Sequence, residues 1–403
     1  MLRFLRTAST RRLLATIAGV LAVIVAGTAI AVAATGAGPV PKPEPLSHAV
    51  HQALSAPNLT GISANISFTN NLIDSSDFAG QSTDPILQGA SGRLWLSNDG
   101  RLRIELQSDN GDAQVVVDQH SFWISDPAQN IVYEGTLPAG HSGGDATAHH
   151  GIPSIAGIQS FLTRLMGRVD LSGAQPTDVA GRAAYRVTIS PKHDGGLLGS
   201  AELAWDATRG VPLQFAIYAR GNTTPVLEIK ATSISYGAVP ASDFNISPPA
   251  GAKIVKIAAS GGAGAGAGGD ARRVQHVRGG RSVTGVQAVS AAVPFPLVAP
   301  KSLVGLPRRR VALLSMGAQP AALVGYGQNL GGMVVIEQRA GSHASAAGGF
   351  GGLSLPTVSI NGAKGQELST ALGTVLTFTR GAVTYTVLGS VPATAAELAA
   401  RAL

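Results

Sequence analysis

Cysteine is absent from this 403-residue sequence. The chain therefore has no disulfide framework, no thiolate metal ligand, no cysteine nucleophile and no lipobox cysteine for lipid attachment. Charged residues make up only 13% of the sequence and aromatic residues only 5%, which argues against a helical bundle. The 51 glycines and 23 prolines instead favour short strands with many turns, and the length favours two domains.

Motifs that would carry catalysis are also missing. There is no P-loop, no G-x-S-x-G elbow and no H-E-x-x-H pair. The segment 261–269 contains G-x-G-x-x-G-like spacings, but it neither follows a periodic strand nor opens a helix. Three acidic residues stand singly at predicted turns, where a carboxylate satisfies local backbone N–H groups: Asp99, Asp126 and Asp206. We therefore expect no enzyme, no catalytic residue and no cofactor.

The histidines do not form a convincing metal site. They occur as two groups, neither with a carboxylate at a fixed ligand spacing: His48 and His51 on a predicted helix, and His141, His149 and His150 in a predicted loop at 138–151. A metal site needs three or four convergent ligands in an ordered frame. We expect solvated histidines and no bound metal.

The formal net charge of +7 is concentrated locally. The arginines cluster before the first apolar segment, in a glycine-rich segment, and in one short run: Arg3, Arg6, Arg11 and Arg12; Arg272, Arg273, Arg278 and Arg281; Arg308 to Arg310. The run Arg308 to Arg310 has no interleaved aromatic residues and no recognisable nucleic-acid module nearby. We expect no nucleic-acid binding.

The N-terminus has the features of an export or anchoring segment. Residues 1–12 are basic, and residues 13–34 contain no charge. About 20 apolar residues span a bilayer, which favours an uncleaved anchor, whereas the Ala31-Val-Ala33 sequence resembles a signal-peptidase site. Both alternatives place the following chain outside the cytoplasm. The sequence thus predicts a cell-envelope protein that is either anchored in the cytoplasmic membrane through residues 13–34 or secreted after cleavage.

Strand patterns dominate a first domain at 46–257, which follows a proline-rich spacer at 35–45. Two helices are predicted, at 46–54 and 155–166. Alternating apolar residues and turn signals predict the following strands: 62–70, 93–97, 101–108, 113–118, 121–125, 131–133, 183–190, 201–206, 211–220 and 226–236. We expect one large curved antiparallel sheet with a few helices.

Several of these strands carry motifs that resemble the LolA and RseB-like proteins. The motifs are Gly92-Arg-Leu-Trp95, Asp99-Gly-Arg-Leu-Arg103, Ser121-Phe-Trp-Ile-Ser-Asp-Pro127, Gly181-Arg-Ala-Ala-Tyr-Arg186, Trp205-Asp-Ala-Thr-Arg-Gly-Val-Pro212 and Asp243-Phe-Asn-Ile-Ser-Pro-Pro249. The resemblance covers about half of the chain. It implies a mainly β (α+β) fold in which an open half-barrel of antiparallel strands is closed over by helices, and a concave apolar surface that takes up lipid or acyl chains.

The apolar strand faces supply the candidate ligand-binding residues: Leu102, Ile104, Leu106, Phe122, Trp205, Phe215 and Ile217. Burying an acyl chain against such a surface stabilises a complex by about 0.8 kcal/mol per methylene. The alternative is that these side chains simply form the protein core.

The second half of the chain follows a Gly/Ala-rich basic linker at 258–282 and forms a predicted β-rich domain at 283–403. Residues 283–299 are expected to form a strand that ends in extended chain, and 393–403 a final helix. Short strands are predicted at 311–316, 321–326, 333–338, 355–361, 374–379 and 382–388, with a loop at 342–353. This half resembles a domain often appended to such sequences in actinobacterial proteins, which ends in a strand seen here at Thr384 to Pro392. The Ala and Gly richness fits a high-GC bacterium.

The sequence therefore predicts a non-enzymatic, extracytoplasmic binding protein that holds a lipid, an acyl chain or a lipoprotein. The alternative is an RseB-like regulatory module that binds a membrane protein partner such as an anti-sigma factor.

Overall fold

The computed structural model describes residues 38–73, 89–107, 112–118, 121–127, 130–136, 154–257, 283–316, 319–341 and 355–403. The predicted segments 1–12, 13–34 and 258–282, and the predicted loops at 138–151 and 342–353, lie outside the described residues. Across the ranges just given, no helix is long and apolar enough to cross a membrane.

A large sheet of 13 strands forms the first domain. Its strands are β1 Gly61–Asn70, β2 Ala90–Ser97, β3 Leu102–Gln107, β4 Ala113–Asp118, β5 Ser121–Asp126, β6 Ile131–Thr136, β7 Val169–Leu171, β8 Gln175–Val179, β9 Arg182–Pro191, β10 Leu198–Asp206, β11 Pro212–Ala219, β12 Leu227–Tyr236 and β13 Lys253–Ile257. The strand order is β13-β6-β5-β4-β3-β2-β1-β12-β11-β10-β9-β7, with β8 also paired to β9. This is an open, mostly β half-barrel, so the predicted fold class is confirmed.

One face of this sheet is apolar, and we call it face A. The cross-strand register places the odd and even positions of neighbouring strands on opposite faces. On face A, β1 contributes Ile62, Ala64, Ile66 and Phe68, and the opposite face, face B, carries Ser63, Asn65 and Ser67 from the same strand. Face B is polar on the neighbouring strands as well, where it carries Arg93, Arg103 and Glu105.

The sheet is curled. One core cluster joins face-A residues of β1 to β3, in the middle of the sheet, with residues of β8 to β10 near its β7 edge: Ile62, Leu96 and Leu102 meet Val179 and Ala204. The register places Ala204 on the side of β10 opposite Leu203 and Trp205. The curl therefore brings one edge of the sheet against its middle strands.

Two helices accompany this sheet. Helix α1 (Leu46–Ser55) buries Ala49 against Tyr185, Val187 and Trp205. Helix α2 (Ile155–Leu165) begins at Ser154, whose hydroxyl accepts a hydrogen bond from the Gly157 N–H, and it packs against α1.

The second domain is a smaller α+β unit with an eight-stranded antiparallel sheet. Its strands are β14 Ser302–Leu303, β15 Leu306–Met316, β16 Gln319–Tyr326, β17 Met333–Arg339, β18 Thr357–Ile360, β19 Ala363–Thr370, β20 Gly373–Arg380 and β21 Val383–Gly389, in the order β14-β15-β16-β17-β21-β20-β19-β18. Helices α3 (Val286–Ala292) and α4 (Ala393–Arg401) cover one face, where Val289 and Ala396 join the core around Val335, Leu376 and Val387.

The two domains contact each other through backbone hydrogen bonds between loops. The Leu197 N–H donates to the Ser390 carbonyl oxygen at 3.1 Å, and the Gly331 N–H donates to the Asp194 carbonyl oxygen at 3.3 Å. A third bond runs from the Ala371 N–H to the Leu72 carbonyl oxygen at 2.8 Å.

Three details of the local structure differ from the sequence-based expectations. Residues 283–299 do not form a strand, because Gly285 (φ +96°) starts helix α3 and Val289 packs into the core one turn later. Strand β13 pairs in parallel with β6, because the segment 237–252 crosses from one side of the sheet to the other. The described end of the proline-rich spacer docks onto the first domain, where the Tyr185 hydroxyl donates to the Lys42 carbonyl oxygen at 2.7 Å.

Candidate ligand-binding face

The seven candidate residues from the sequence all lie on face A. In the first half of the sheet, Leu102 pairs with Val117, Val117 pairs with Phe122, and Ile104 and Leu106 follow Leu102 at alternate positions of β3. In the second half, Trp205 follows Leu203 at the alternate position of β10, and the cross-strand pair of Leu203 is Phe215. Ile217 lies two residues beyond Phe215 on β11.

Their exposure separates them into two groups. Leu102, Ile104 and Trp205 are only 4%, 8% and 5% exposed, because they pack into core clusters. Phe215 is 44% exposed although strands flank it on both sides. Leu106, Phe122 and Ile217 are half-buried.

Phe215 lies in what we call the open apolar patch, formed by Phe68, Phe215, Ile217, Leu227 and Ile229. Register connects these five side chains directly: Phe215 pairs with Ile229, Ile217 pairs with Leu227, and Ile229 pairs with Phe68 across β12 and β1. Apart from Phe215, each is half-buried. Phe68, Leu227 and Ile229 were not among the residues selected from the sequence. The alternation along 62–68 indicates the apolar face for Phe68, and the cross-strand pairing places Leu227 and Ile229 on it.

Further apolar side chains are exposed on the helices. On α2, Ile155 and Phe161 are 42% and 56% exposed, Met166 directly after the helix is 37% exposed, and Leu54 on α1 is 45% exposed. Isolated exposed apolar side chains are common on proteins. A group of them in one helix pair next to an apolar sheet face is characteristic of binding surfaces.

A polar network closes the half-barrel at the far end of face A. The Tyr236 hydroxyl donates to Asp206 Oδ2 at 2.7 Å, and the guanidinium groups of Arg182 and Arg209 lie 5.1 and 4.3 Å from the centre of the Tyr236 ring. Burial, together with the neighbouring Asp206 carboxylate, raises the pKa of Tyr236, so the hydroxyl remains a hydrogen-bond donor. Arg182 also donates to the Ile234 carbonyl oxygen at 2.9 Å.

The polar side chains on face B form ion pairs rather than a catalytic constellation. Glu202 accepts hydrogen bonds from Thr188 at 3.2 Å and from Tyr218 at 3.1 Å, and lies 3.8 Å from Arg186. Burial and the Glu202 carboxylate raise the pKa of Tyr218 to about 12. Within the described part of the chain, no group of three or more His, Cys, Asp or Glu side chains is placed to hold a metal ion.

The structure describes the first histidine group, His48 and His51, but not the second. His48 forms a hydrogen bond with Glu44 one turn earlier in the chain, as expected for a histidine on a helix surface. His141, His149 and His150 lie outside the described residues.

Neither a protein-family model nor a curated protein sequence matches the chain. Among solved structures, the chain is similar to MucB in complex with MucA(peri), at 17% identity and a TM-score of 0.38 over 88% of this chain and 94% of that one. The complex of Pseudomonas aeruginosa MucA and MucB matches with the same values. A LolA superfamily protein from Nitrosomonas europaea matches at 9% identity and a TM-score of 0.20, over 51% of this chain and 99% of that one.

Proposed function

We propose that the protein is a non-enzymatic, extracytoplasmic binding protein that holds a lipid, or the acyl chain of a lipoprotein, against face A. The observation that carries the proposal is the exposure of Phe215 at the centre of the open apolar patch. A large aromatic side chain in the middle of a sheet is normally covered, so its exposure indicates a surface that a ligand covers. Leu102, Ile104 and Trp205 support the ligand surface from the core, and Phe215 and Ile217 contact the ligand.

The chemistry of the patch suits an acyl chain. Phe68, Phe215, Ile217, Leu227 and Ile229 offer no hydrogen-bonding side-chain group, so the favourable term is the removal of apolar surface from water. Each methylene that leaves water contributes about 0.8 kcal/mol. The curl of the sheet supplies a concave shape of the kind that such a ligand needs.

A second candidate function is a regulatory module that binds a membrane protein partner, as an RseB-like protein would. The exposed Ile155 and Phe161 on α2 favour it, because an outward-facing apolar helix surface suits a protein segment. In either case residues 13–34 would place the protein at the membrane as an anchor or export it as a cleaved signal.

Native mass spectrometry of the full-length chain, released from detergent micelles after expression in a bacterial host, tests the proposal. We expect a stoichiometric adduct that extraction identifies as a lipid, and we expect Phe215→Glu to remove it. Ile254→Glu is the matched control, because Ile254 is 53% exposed on β13 and its register position is on face B.

Each outcome separates the candidates. A lipid adduct that Phe215→Glu removes and Ile254→Glu retains supports the carrier. A protein that co-purifies without lipid, and that both variants retain, supports the regulatory module bound through α2. An adduct equally abundant in both variants contradicts a ligand site on face A.

A further inference from the structure

A shallow cavity, open to solvent, lies on face B, on the side of the sheet away from the open apolar patch. It has a volume of about 480 Å³, within the range of about 300–1,000 Å³ found for small-molecule sites. Its lining comes from three adjacent strands: Ser63, Ala64 and Asn65 on β1, Arg93 and Trp95 on β2, and Ser233, Ile234 and Ser235 on β12.

A register shift between β1 and β12 shapes this cavity. Asn65 pairs with Ser233, whereas Ile66 pairs with Ala231, so β12 contains one extra residue at this point. Such bulges bend the strand and re-aim side chains. Asn65 Nδ2 donates to Ser233 Oγ at 2.9 Å. This bond leaves the side-chain amide oxygen of Asn65 and the hydroxyl proton of Ser233 for another partner.

Trp95 forms one wall. The Arg103 guanidinium lies 4.6 Å from the centre of the indole ring, and Arg103 is fixed in turn by Glu105 at 2.6 Å and by the Asp243 carbonyl oxygen at 3.2 Å. Arg103 is not part of the cavity lining. Trp95 therefore separates Arg103 from the cavity and presents its other side to a ligand.

Arg93 supplies a positive charge at this cavity. Its cross-strand neighbour is Glu105, but the Glu105 carboxylate is engaged by Arg103. Among the residues that the structure describes, no carboxylate forms an ion pair with Arg93. An exposed guanidinium next to hydroxyl groups is suited to a carboxylate or phosphate.

We propose that this face-B cavity binds a sugar that carries one acidic group. The apolar ring face of a sugar packs on Trp95, the serine and asparagine side chains bond its hydroxyls, and Arg93 pairs with its carboxylate or phosphate. This site is separate from the acyl-chain site on face A, so neither proposal depends on the other.

The test is a titration of the full-length chain, in which the indole N–H resonance of Trp95 is followed by NMR and assigned with Trp95→Phe. The probes are glucuronic acid, glucose 6-phosphate, glucose and inorganic phosphate. We expect saturable shifts with both acidic sugars and weaker binding of glucose. Arg93→Gln should weaken the acidic sugars by about tenfold or more, because a hydrogen bond to a charged group contributes about 1.5–3 kcal/mol.

The control variant is Arg310→Gln, which removes the same charge from an exposed position in the second domain and should leave the affinity unchanged. Phosphate binding as tightly as glucose 6-phosphate would overturn the sugar assignment and indicate an anion site only. The proposal also fails if no acidic sugar produces a saturable shift of Trp95, or if Arg93→Gln and Arg310→Gln weaken binding equally.

Discussion

Glu337 is a carboxylic acid in an environment that disfavours its charged form. It lies on the core-facing side of β17 with 0% exposure, and Oε2 accepts a hydrogen bond from the Val298 N–H at 2.9 Å. The neighbouring groups are the hydroxyls of Tyr326 and Tyr385, whose pKa values burial raises with a further contribution from Glu337, and the Arg308 guanidinium faces Tyr326. Burial raises the pKa of Glu337 from 4.5 to about 7.

This shift predicts that the second domain loses stability as the pH rises. The folded state holds the Glu337 proton up to about pH 7, whereas the unfolded chain releases it near 4.5, so the free energy of unfolding falls as pH increases through this window. The total effect is about 3 kcal/mol. Glu337→Gln should therefore raise the melting temperature at pH 8 and change it little at pH 4.5.

Calorimetry measures this effect. The three tryptophans, Trp95, Trp123 and Trp205, all lie in the first domain, so a transition without a change in tryptophan fluorescence belongs to the second domain. Glu397→Gln, on the surface of α4 beside Arg401, is the control. Equal melting temperatures for Glu337→Gln and the native chain at pH 8 would contradict the argument.

Residue patterns in the sequence predicted which side chains share a face, but not which are covered. Trp205 and Phe215 are both apolar residues on face A, yet α1 covers Trp205 and leaves Phe215 exposed. Alternation depends only on the backbone geometry of a strand. Whether a side chain on that face is buried depends on where a helix distant in sequence packs. The local sequence does not encode that position.

At the scale of elements, α1 is held in place by a turn of the sheet. Gly210 follows β10 in a left-handed conformation (φ +67°), and a Cβ at this position would collide with the Ala53 carbonyl group of α1. Gly221 also has a positive φ of +79°, but a Cβ there would meet no atom within 4 Å. Both glycines need a positive φ, but only Gly210 lies in close contact with α1.

A comparison of alanine substitutions at Gly210 and Gly221 isolates the effect of the contact with α1 on stability. Gly210→Ala and Gly221→Ala each incur about 1 kcal/mol for a left-handed alanine. Gly210→Ala should be destabilising by at least about 1 kcal/mol more, and amide hydrogen exchange within Leu46–Ser55 should become faster. If chemical denaturation gives equal losses in the free energy of unfolding for Gly210→Ala and Gly221→Ala, the contact with α1 does not contribute to stability.

Element prediction failed where apolar residues lacked a clear period. The segment 283–299 combines valines, alanines and two prolines with no alternation that distinguishes strand from helix. In the structure a helix of seven residues is enough to bury Val289. The short strands β7, β8, β13 and β14 were not predicted, because two to five residues carry too little pattern. The longer strand β19 was also missed.

At the scale of the whole molecule, loop contacts fix how the domains meet. Gly196 (φ +62°) packs directly on Ser390, whose hydroxyl accepts a hydrogen bond from the Leu197 N–H at 2.9 Å and donates to the Leu372 carbonyl oxygen at 2.7 Å. Gly196, Leu197 and Leu372 belong to no motif identified from the sequence. Contacts between domains depend on surface shape, which a linear pattern does not carry.

Gly196→Ala should therefore loosen the domains, because a Cβ would collide with Ser390. We expect a larger radius of gyration in small-angle X-ray scattering and faster exchange of the Leu197 amide. Gly181→Ala is the control, since Gly181 has a similar φ of +70° with no atom within 4 Å of a Cβ. An unchanged radius and unchanged Leu197 exchange in Gly196→Ala would refute this role for the contact.

The most direct measurement of the central claim, that face A holds an acyl chain, is photo-crosslinking in living cells. Cells that express the full-length chain are fed a fatty acid with a photoreactive diazirine, irradiated, and the labelled residues are mapped by mass spectrometry. We expect label on the open apolar patch, centred on Phe215, and its loss in Phe215→Glu. Label on face B instead, or no specific label on the folded chain, would contradict the account.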